Sequence, residues 1–188
     1  MTPGTLRRSI SDWLVADRGY TRSGRSHKKA IRPDFELIVD IGPLDGPPHI
    51  SPWIGIRSEA GGRLQAELLE LPNDPYVATI GDNVGAIIRA GYLGWQGNES
   101  MGEVQKAIDD AARVMAEYAT LPKLVEWAQR LDYITAVPLL LLLGDRTQAE
   151  AWLARAKQSE CAQPDALCDQ FRRFERNARS HPTLTDHR

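Results

Sequence analysis

Eight apolar residues in a row, 136–143 (AVPLLLLL), leave this chain few ways to fold. A helix that is apolar on every side has to be buried, and the run is far too short to cross a bilayer, which takes about 20 residues. The N-terminus (MTPGTLRRSISDWLV) also lacks the apolar stretch of a signal peptide. We therefore expect a buried helix that ends at Gly144, and no membrane segment.

The second half of the chain carries the start signals of several further helices. They are two capping boxes, Ser100-x-x-Glu103 and Thr147-x-x-Glu150, and two prolines at first helical positions, Pro122 and Pro164. The residues expected to face inward are Val104, Ile108, Ala111, Met115, Tyr118, Leu124, Trp127, Ala128, Leu131, Trp152, Leu153, Ala156, Leu167, Phe171 and Phe174. This half therefore predicts a bundle of about four to five helices.

The first half predicts one helix and a small sheet. Apolar residues recur at helical spacing over 5–16, and Gly19 follows where such a helix would stop. Alternation of apolar and charged residues is clearest in 35–41, where every second residue is apolar. The candidate strands are 25–31, 35–41, 50–57 and 64–69.

Together these patterns predict an α+β fold. An N-terminal helix and an antiparallel β-meander of about four strands would pack against the C-terminal helical bundle. We expect one compact domain with a sheet portion in 1–98, a helical portion in 99–180 and a frayed tail in 181–188. Residues 72–98 are expected to add a short strand and a short helix; their glycines match neither a P-loop nor the dinucleotide fingerprint.

The two cysteines, Cys161 and Cys168, are expected to be reduced. A separation of seven residues places them on one face of a helix, about 10 Å apart, which is too far for a disulfide. Reduced, structural cysteines are typical of a cytoplasmic protein.

The net charge of −2 conceals an uneven distribution. Residues 1–33 hold eight Lys and Arg against two acids, residues 34–150 hold eight against eighteen, and residues 151–188 hold seven against five. The central part of the chain is therefore the acidic one, and such a bias indicates partners rather than a fold.

No local motif of catalysis or metal binding is present. The histidines are His27, His49, His181 and His187, and none has a His, Cys or carboxylate at a metal-ligand spacing. A G-x-S-x-G elbow is absent, and local sequence suggests no Cys–His pair. We therefore expect no catalytic residue, no metal and no cofactor. An active site assembled from residues distant in the sequence stays an alternative, since it would leave no local motif.

The basic run near the N-terminus has two interpretations. Its cations are Arg22, Arg25, Lys28, Lys29 and Arg32, and Tyr20 is the only aromatic residue among them. Binding to nucleic acid needs several phosphates neutralised together with stacking aromatics or a recognition helix. Lysine on a strand is also an ordinary defence against edge pairing. We favour the solvated edge of a sheet, and nucleic-acid binding stays the less favoured alternative.

The layout of the chain resembles a small bacterial α+β domain. A helix leads to "GY" and the basic strand "RSHKKA", then to "FELIVDIG", "WIGIRSE" and a helical half with "LPKLVEWAQRLD" and "LLLLLGDRTQAEAWLARA". This order is similar to that of immunity proteins of polymorphic toxins, including those of contact-dependent growth inhibition. The resemblance implies a cytoplasmic inhibitor that binds the C-terminal domain of its cognate toxin, for example a nuclease.

An acidic surface would suit such a partner, because toxins that cut RNA or DNA present basic clefts. On charge alone, the candidate toxin-binding residues are Glu67, Glu70, Asp74, Asp82, Glu99, Asp109 and Asp110. A second hypothesis is a helical, repeat-like adaptor that binds peptides in a groove lined by Trp127 and Trp152.

Overall fold

The computed structural model describes residues 1–43, 48–162 and 165–185, and it confirms the α+β class. The helices are α1 (Pro3–Ala16), α2 (Glu59–Leu69), α3 (Val84–Ile87), α4 (Met101–Ala116), α5 (Leu121–Ala128), α6 (Tyr133–Leu143), α7 (Arg146–Glu160), α8 (Asp165–Arg179) and α9 (Pro182–Thr185). The strands are β1 (Thr21–Ser23), β2 (Ser26–Arg32), β3 (Phe35–Pro43), β4 (Ile50–Ser58) and β5 (Ile80–Asn83).

The chain divides into two compact units that do not follow its order. Unit 1 comprises residues 1–58 and 76–119, which include the sheet with α1, α3 and α4. Unit 2 comprises residues 59–75 and 120–188, which include α2 and α5 to α9. The expectation of a single domain with boundaries after residues 98 and 180 stays a prediction.

Unit 1 is an antiparallel meander in the order β1-β2-β3-β4-β5. The strands predicted over 25–31, 35–41 and 50–57 are confirmed within about a residue at most ends. Helix α1 packs on β1 and β2, and α4 packs on β3 and β4, whose apolar residues are buried. The capping box that starts α4 is present, because Ser100 and Glu103 satisfy each other's backbone N–H groups.

The predicted fourth strand is wrong, since residues 64–69 belong to α2. Leu64 and Leu68 are buried together on one face of this helix. Their spacing of four residues is both even and helical, so the pattern fits a strand and a helix alike. The other two strands of the meander are β1, which is fully exposed and has no apolar residue, and β5, which pairs with β4.

Unit 2 is built around the apolar run, as expected. Helix α6 is buried for most of its length and ends at Gly144, whose φ of 79° is left-handed. The ring of Tyr133 meets the buried Phe171 and Phe174 edge-on, at centroid distances of 5.4 and 5.1 Å. Leu153 and Ala156 of α7 are buried as predicted.

Several expectations for unit 2 need correction. Asp145, rather than Thr147, caps α7, since its carboxylate accepts the N–H of Gln148. Leu131 and Leu167 were expected to face inward but are about half exposed, at 47 % and 48 %. Pro164 lies outside the described residues.

The segment expected to be a frayed tail contains a further helix. Helix α9 spans Pro182–Thr185, and its Leu184 is buried. The hydroxyl of Thr183 donates to the carbonyl oxygen of Leu141 in α6 at 3.1 Å. At least part of the segment after residue 180 is therefore held against the helical unit.

The two cysteines form a disulfide, contrary to the expectation of reduced thiols. The expectation is wrong because the residues are not on one helix: Cys161 caps the end of α7, and Cys168 lies near the start of α8. Their Cα atoms are 4.5 Å apart, within the range that a disulfide spans.

Among the described residues, no helix combines the length and the apolar character needed to span a membrane.

Candidate functional site

The seven acidic candidates are divided between the two units. Four of them, Asp82, Glu99, Asp109 and Asp110, belong to unit 1. The other three, Glu67, Glu70 and Asp74, belong to unit 2. Counted over whole units, the charges nearly balance: unit 1 holds twelve Lys and Arg against twelve acids, and unit 2 holds eleven against thirteen.

Two of the unit 1 candidates form ion pairs. Asp109 pairs with Arg18, which follows α1, and Asp110 pairs with two residues of α4. Asp109 accepts two hydrogen bonds from the guanidinium of Arg18, at 3.0 and 2.8 Å. Asp110 is paired with Lys106 and Arg113 at 2.6 and 2.7 Å, and these hydrogen bonds lower the pKa of its carboxyl group. Both carboxylates are already paired with cations of unit 1, so we remove them from the candidate surface.

Glu99 has a structural role in the turn before α4. Its carboxylate accepts the backbone N–H groups of Gln96 and Gly97, at 2.7 and 2.8 Å. Partial burial by itself would raise the pKa of this group, but the surrounding backbone N–H groups hold it below its ordinary value. Glu99 therefore serves the turn rather than an interface.

Asp82 stays exposed on β5, where one carboxylate oxygen accepts the N–H of Asn83 at 2.6 Å. The adjacent Asn83 is buried and ties the following segment to the sheet. Its side chain accepts the N–H groups of Gly85 and Leu93 and donates to the carbonyl oxygen of Pro52. Asp82 thus lies beside a residue that is hydrogen-bonded to the sheet, and it remains a candidate.

The unit 2 candidates share one stretch of chain, residues 59–75, which we call the acidic segment. It holds Glu59, Glu67, Glu70 and Asp74 against a single base, Arg63. Glu67, Glu70 and Asp74 are all exposed. Glu70 follows α2 with a φ of 57° and accepts a hydrogen bond from the side-chain amide of Asn177 at 3.2 Å.

An apolar side chain stands in the middle of the acidic segment. Leu71 has 58 % of its surface exposed, directly after Glu70 and three residues before Asp74. An exposed leucine contributes nothing to a core. A single exposed leucine is ordinary on a protein surface. Leu71 is a candidate contact because it lies within a stretch of exposed carboxylates, and interfaces combine an apolar contact with a polar rim.

The basic run of β2 is largely engaged within unit 1. Arg25 pairs with Asp40 and Lys28 pairs with Glu36, each at 3.0 Å. Lys29 lies over the ring of Tyr20, and Arg32 donates to the carbonyl oxygen of Ala119. These contacts engage much of the positive charge that would otherwise be available to bind a polyanion.

The adaptor hypothesis needs a groove lined by tryptophan. The corresponding feature of unit 2 is a small pocket of about 190 Å³. Trp152 lines it beside the exposed Leu131, with Arg155 stacked over the indole ring at 4.6 Å. Trp127 is half-buried and is not among the residues that line this pocket.

Unit 1 contains a buried Ser–His pair that no local sequence pattern predicts. His27 on β2 is 1 % exposed, and its Nε2 forms a hydrogen bond of 2.8 Å with the hydroxyl of Ser11 on α1. Among the described residues, Nδ1 of His27 has no hydrogen-bond partner. The two residues are far apart in the chain, and a polar residue at one position of a strand gives no sign of a partner on a helix.

Burial lowers the pKa of His27, and the positive charge of Arg22 on β1 adds to this effect. The backbone of Val39 and Arg25 and the carboxylate of Asp40 on β3 act in the opposite direction. The net direction is downward, so His27 is neutral in the folded protein at neutral pH.

This lowered pKa predicts a loss of stability in mild acid. Below its ordinary pKa, His27 takes up a proton in the unfolded chain but resists it in the folded state, so unfolding becomes easier as the pH falls. Thermal unfolding of the wild type and His27→Gln should be compared between about pH 7.5 and about pH 5. We expect the wild type to lose more stability than the variant across this range; parallel curves would contradict the assignment.

Comparison of the chain with protein-family models, with curated proteins and with solved structures finds no match. The fold itself defines the class: in its described residues this is a two-unit α+β protein with an antiparallel five-stranded sheet.

Proposed function

We propose that this protein is an immunity protein that binds the C-terminal domain of a cognate bacterial toxin and blocks its active site, with no catalytic step of its own. The observation that carries the binding surface is the exposed Leu71 within the acidic segment, between Glu70 and Asp74. The layout of the chain, which resembles immunity proteins of polymorphic toxins, supports the kind of partner.

The chemistry of the acidic segment supports a basic partner. Its exposed carboxylates would steer association with a basic nuclease cleft and compete there with the phosphates of the substrate. Leu71 would supply the desolvated apolar contact at the centre, since charged residues at a rim contribute more to association rate than to affinity. Glu99, Asp109 and Asp110 are left out because they accept hydrogen bonds of 2.6–3.0 Å that tie down a turn or form ion pairs. The contacts of Glu70 with Asn177 and Arg176 are longer, at 3.2 and 4.0 Å. Asp82 belongs to unit 1 and is not part of this surface.

The proposal places the protein in the cytoplasm, where a toxin that enters the cell would meet its inhibitor. Cytosolic thiols are kept reduced, so Cys161 and Cys168 would form their bond only when the protein meets an oxidising environment.

The proposal predicts a stable one-to-one complex with the toxin domain encoded directly upstream. We would co-purify the two proteins, measure their affinity and test whether the immunity protein restores cell growth. Leu71→Ala should weaken the complex roughly tenfold or more, as the loss of an interface anchor does. Reversal of Glu67, Glu70 and Asp74 to lysine should lower the association rate and weaken its dependence on salt.

Two control variants test whether binding depends on the acidic segment itself or only on net charge and exposed apolar surface. Leu143→Ala removes another exposed leucine, which lies on α6. Reversal of Glu117, Glu126 and Asp169, which are exposed elsewhere, changes the net charge by the same amount. Neither control should affect binding. A complex that tolerates Leu71→Ala and the first reversal would refute this surface, and absence of any complex would refute the immunity function.

The adaptor hypothesis is kept as a second candidate because Trp152 and Leu131 line a pocket in unit 2. An adaptor would retain several unrelated partners from one lysate, whereas an immunity protein retains one. Trp152→Ala would weaken adaptor binding and leave the toxin complex unchanged.

A further inference from the structure

Unit 1 contains a basic pocket of about 630 Å³ that the proposed function does not use. We call it the arginine pocket. One wall is the face of α1 that carries Arg7, Arg8 and Ser11, at helical spacings of three and four residues. The opposite wall is the hairpin of β1 and β2, which contributes Arg22 and Arg25. Its volume is within the range of pockets that hold small ligands.

The charge of the arginine pocket is strongly positive. Four guanidinium groups line it, and Asp12 is the one carboxylate among the lining residues that the structure describes. Arg7 and Arg8 are exposed and have no acidic partner within the described ranges. Arg22 donates to the carbonyl oxygen of Gly24, and Arg25 pairs with Asp40. At least two of the four cations therefore have donors available for an anion.

Two neighbouring features are compatible with an anion in this pocket. The pocket includes Gly4 in the first turn of α1, where the helix dipole favours negative charge. The buried Ser11 and His27 also line it, joined by their 2.8 Å hydrogen bond. This polar pair is packed between α1 and the sheet, so it holds the two walls in register without carrying a charge that would compete with the arginines.

We propose that the arginine pocket binds a small ligand that carries at least two adjacent phosphate groups. Arginine matches phosphate because its planar fork donates two parallel hydrogen bonds. Arginines on two facing walls would hold more than one phosphate, whereas a single carboxylate or sulfate would satisfy only one wall. The site is distinct from the acidic segment, which belongs to unit 2.

A small ligand is favoured over a nucleic acid by the placement of the other cations. Binding along a strand of DNA or RNA needs a continuous basic track with stacking aromatics. Beyond the pocket, Lys28, Lys29 and Arg32 of the same hairpin region are engaged with Glu36, Tyr20 and Ala119. No aromatic residue is among the described residues that line the pocket.

Calorimetric titration of the full-length protein with inorganic tripolyphosphate tests the proposal. The wild type should bind tripolyphosphate at least about tenfold more tightly than orthophosphate, because more than one charge-assisted contact forms. Arg7→Ala/Arg8→Ala should weaken tripolyphosphate binding about tenfold or more. Arg22→Gln, on the opposite wall, is a second variant with the same expectation and keeps the test valid if the first one folds poorly.

The matched control is Arg172→Ala/Arg173→Ala, which also removes two adjacent exposed arginines from a helix, here α8. It should leave binding within about twofold of the wild type, well below the loss expected at the pocket. The proposal is overturned if the control loses as much affinity as the pocket variants, or if the pocket variants bind like the wild type. It is also overturned if orthophosphate binds as well as tripolyphosphate, or if a single-stranded oligonucleotide binds more tightly through the same arginines.

Discussion

Gly55→Ala is expected to lower the free energy of unfolding by about 3 kcal/mol, the upper part of the range for overpacked sites. A Cβ atom at this position would lie 2.2 Å from the carbonyl oxygen of Ile80 and 2.9 Å from the ring of Trp53. Gly55 is paired with Gly81 across β4 and β5, and the Trp53 side chain lies against both glycines. Since β4 is held between β3 and β5, the backbone has little freedom to move away.

Chemical denaturation of the wild type and the variant measures this effect. Gly102→Ala is the matched control, because it makes the same substitution on α4, where a Cβ meets nothing within 4 Å. Alanine is favoured over glycine in a helix by about 1 kcal/mol, so this control should be neutral or slightly stabilising. Equal stabilities of the two variants would show that β5 does not pack on Gly55 as described.

Phe171→Ala is expected to destabilise the helical unit by about 3–5 kcal/mol. Phe171 is fully buried, and its ring meets Tyr133 edge-on beside Phe174. Its removal leaves a cavity at the junction of α6 and α8 and forfeits an aromatic contact. Denaturant unfolding followed by circular dichroism would register the loss through the helical signal.

Leu167→Ala on the same helix is the control for this prediction. The apolar spacing predicts that Leu167 faces inward with Phe171, but Leu167 is 48 % exposed. Its truncation should change the free energy of unfolding by well under about 1 kcal/mol, as surface substitutions usually do. A large effect at Leu167 together with a small one at Phe171 would mean that α8 is rotated about its axis.

Patterns that depend on near neighbours were predicted well. The capping box of α4 joins residues three apart, and the burial of α6 follows from a continuous apolar run. The alternation over 35–41 likewise predicts the strand β3. In each case the deciding interactions lie within a few residues or within one element, so local sequence contains the information.

Local patterns failed where two structures satisfy the same spacing. Leu64 and Leu68 fit one face of a strand and one face of a helix, and packing within unit 2 selects the helix. The cysteine spacing fits one continuous helix, but Cys161 caps the end of α7 and Cys168 lies in α8. Competition between two capping residues, Asp145 and Thr147, was decided by where α7 begins.

The sequence by itself determined the α+β class, the buried helix and the total charge of each segment. Only the tertiary structure decided which charges are engaged across the chain, because an ion pair such as that of Asp109 with Arg18 depends on packing between distant residues. Asp109 is engaged by Arg18 from 91 residues away, whereas Leu71 stays exposed in the acidic segment. The arginine pocket arises in the same way: α1 and the β1–β2 hairpin each supply half of its cations, and only their packing makes one site.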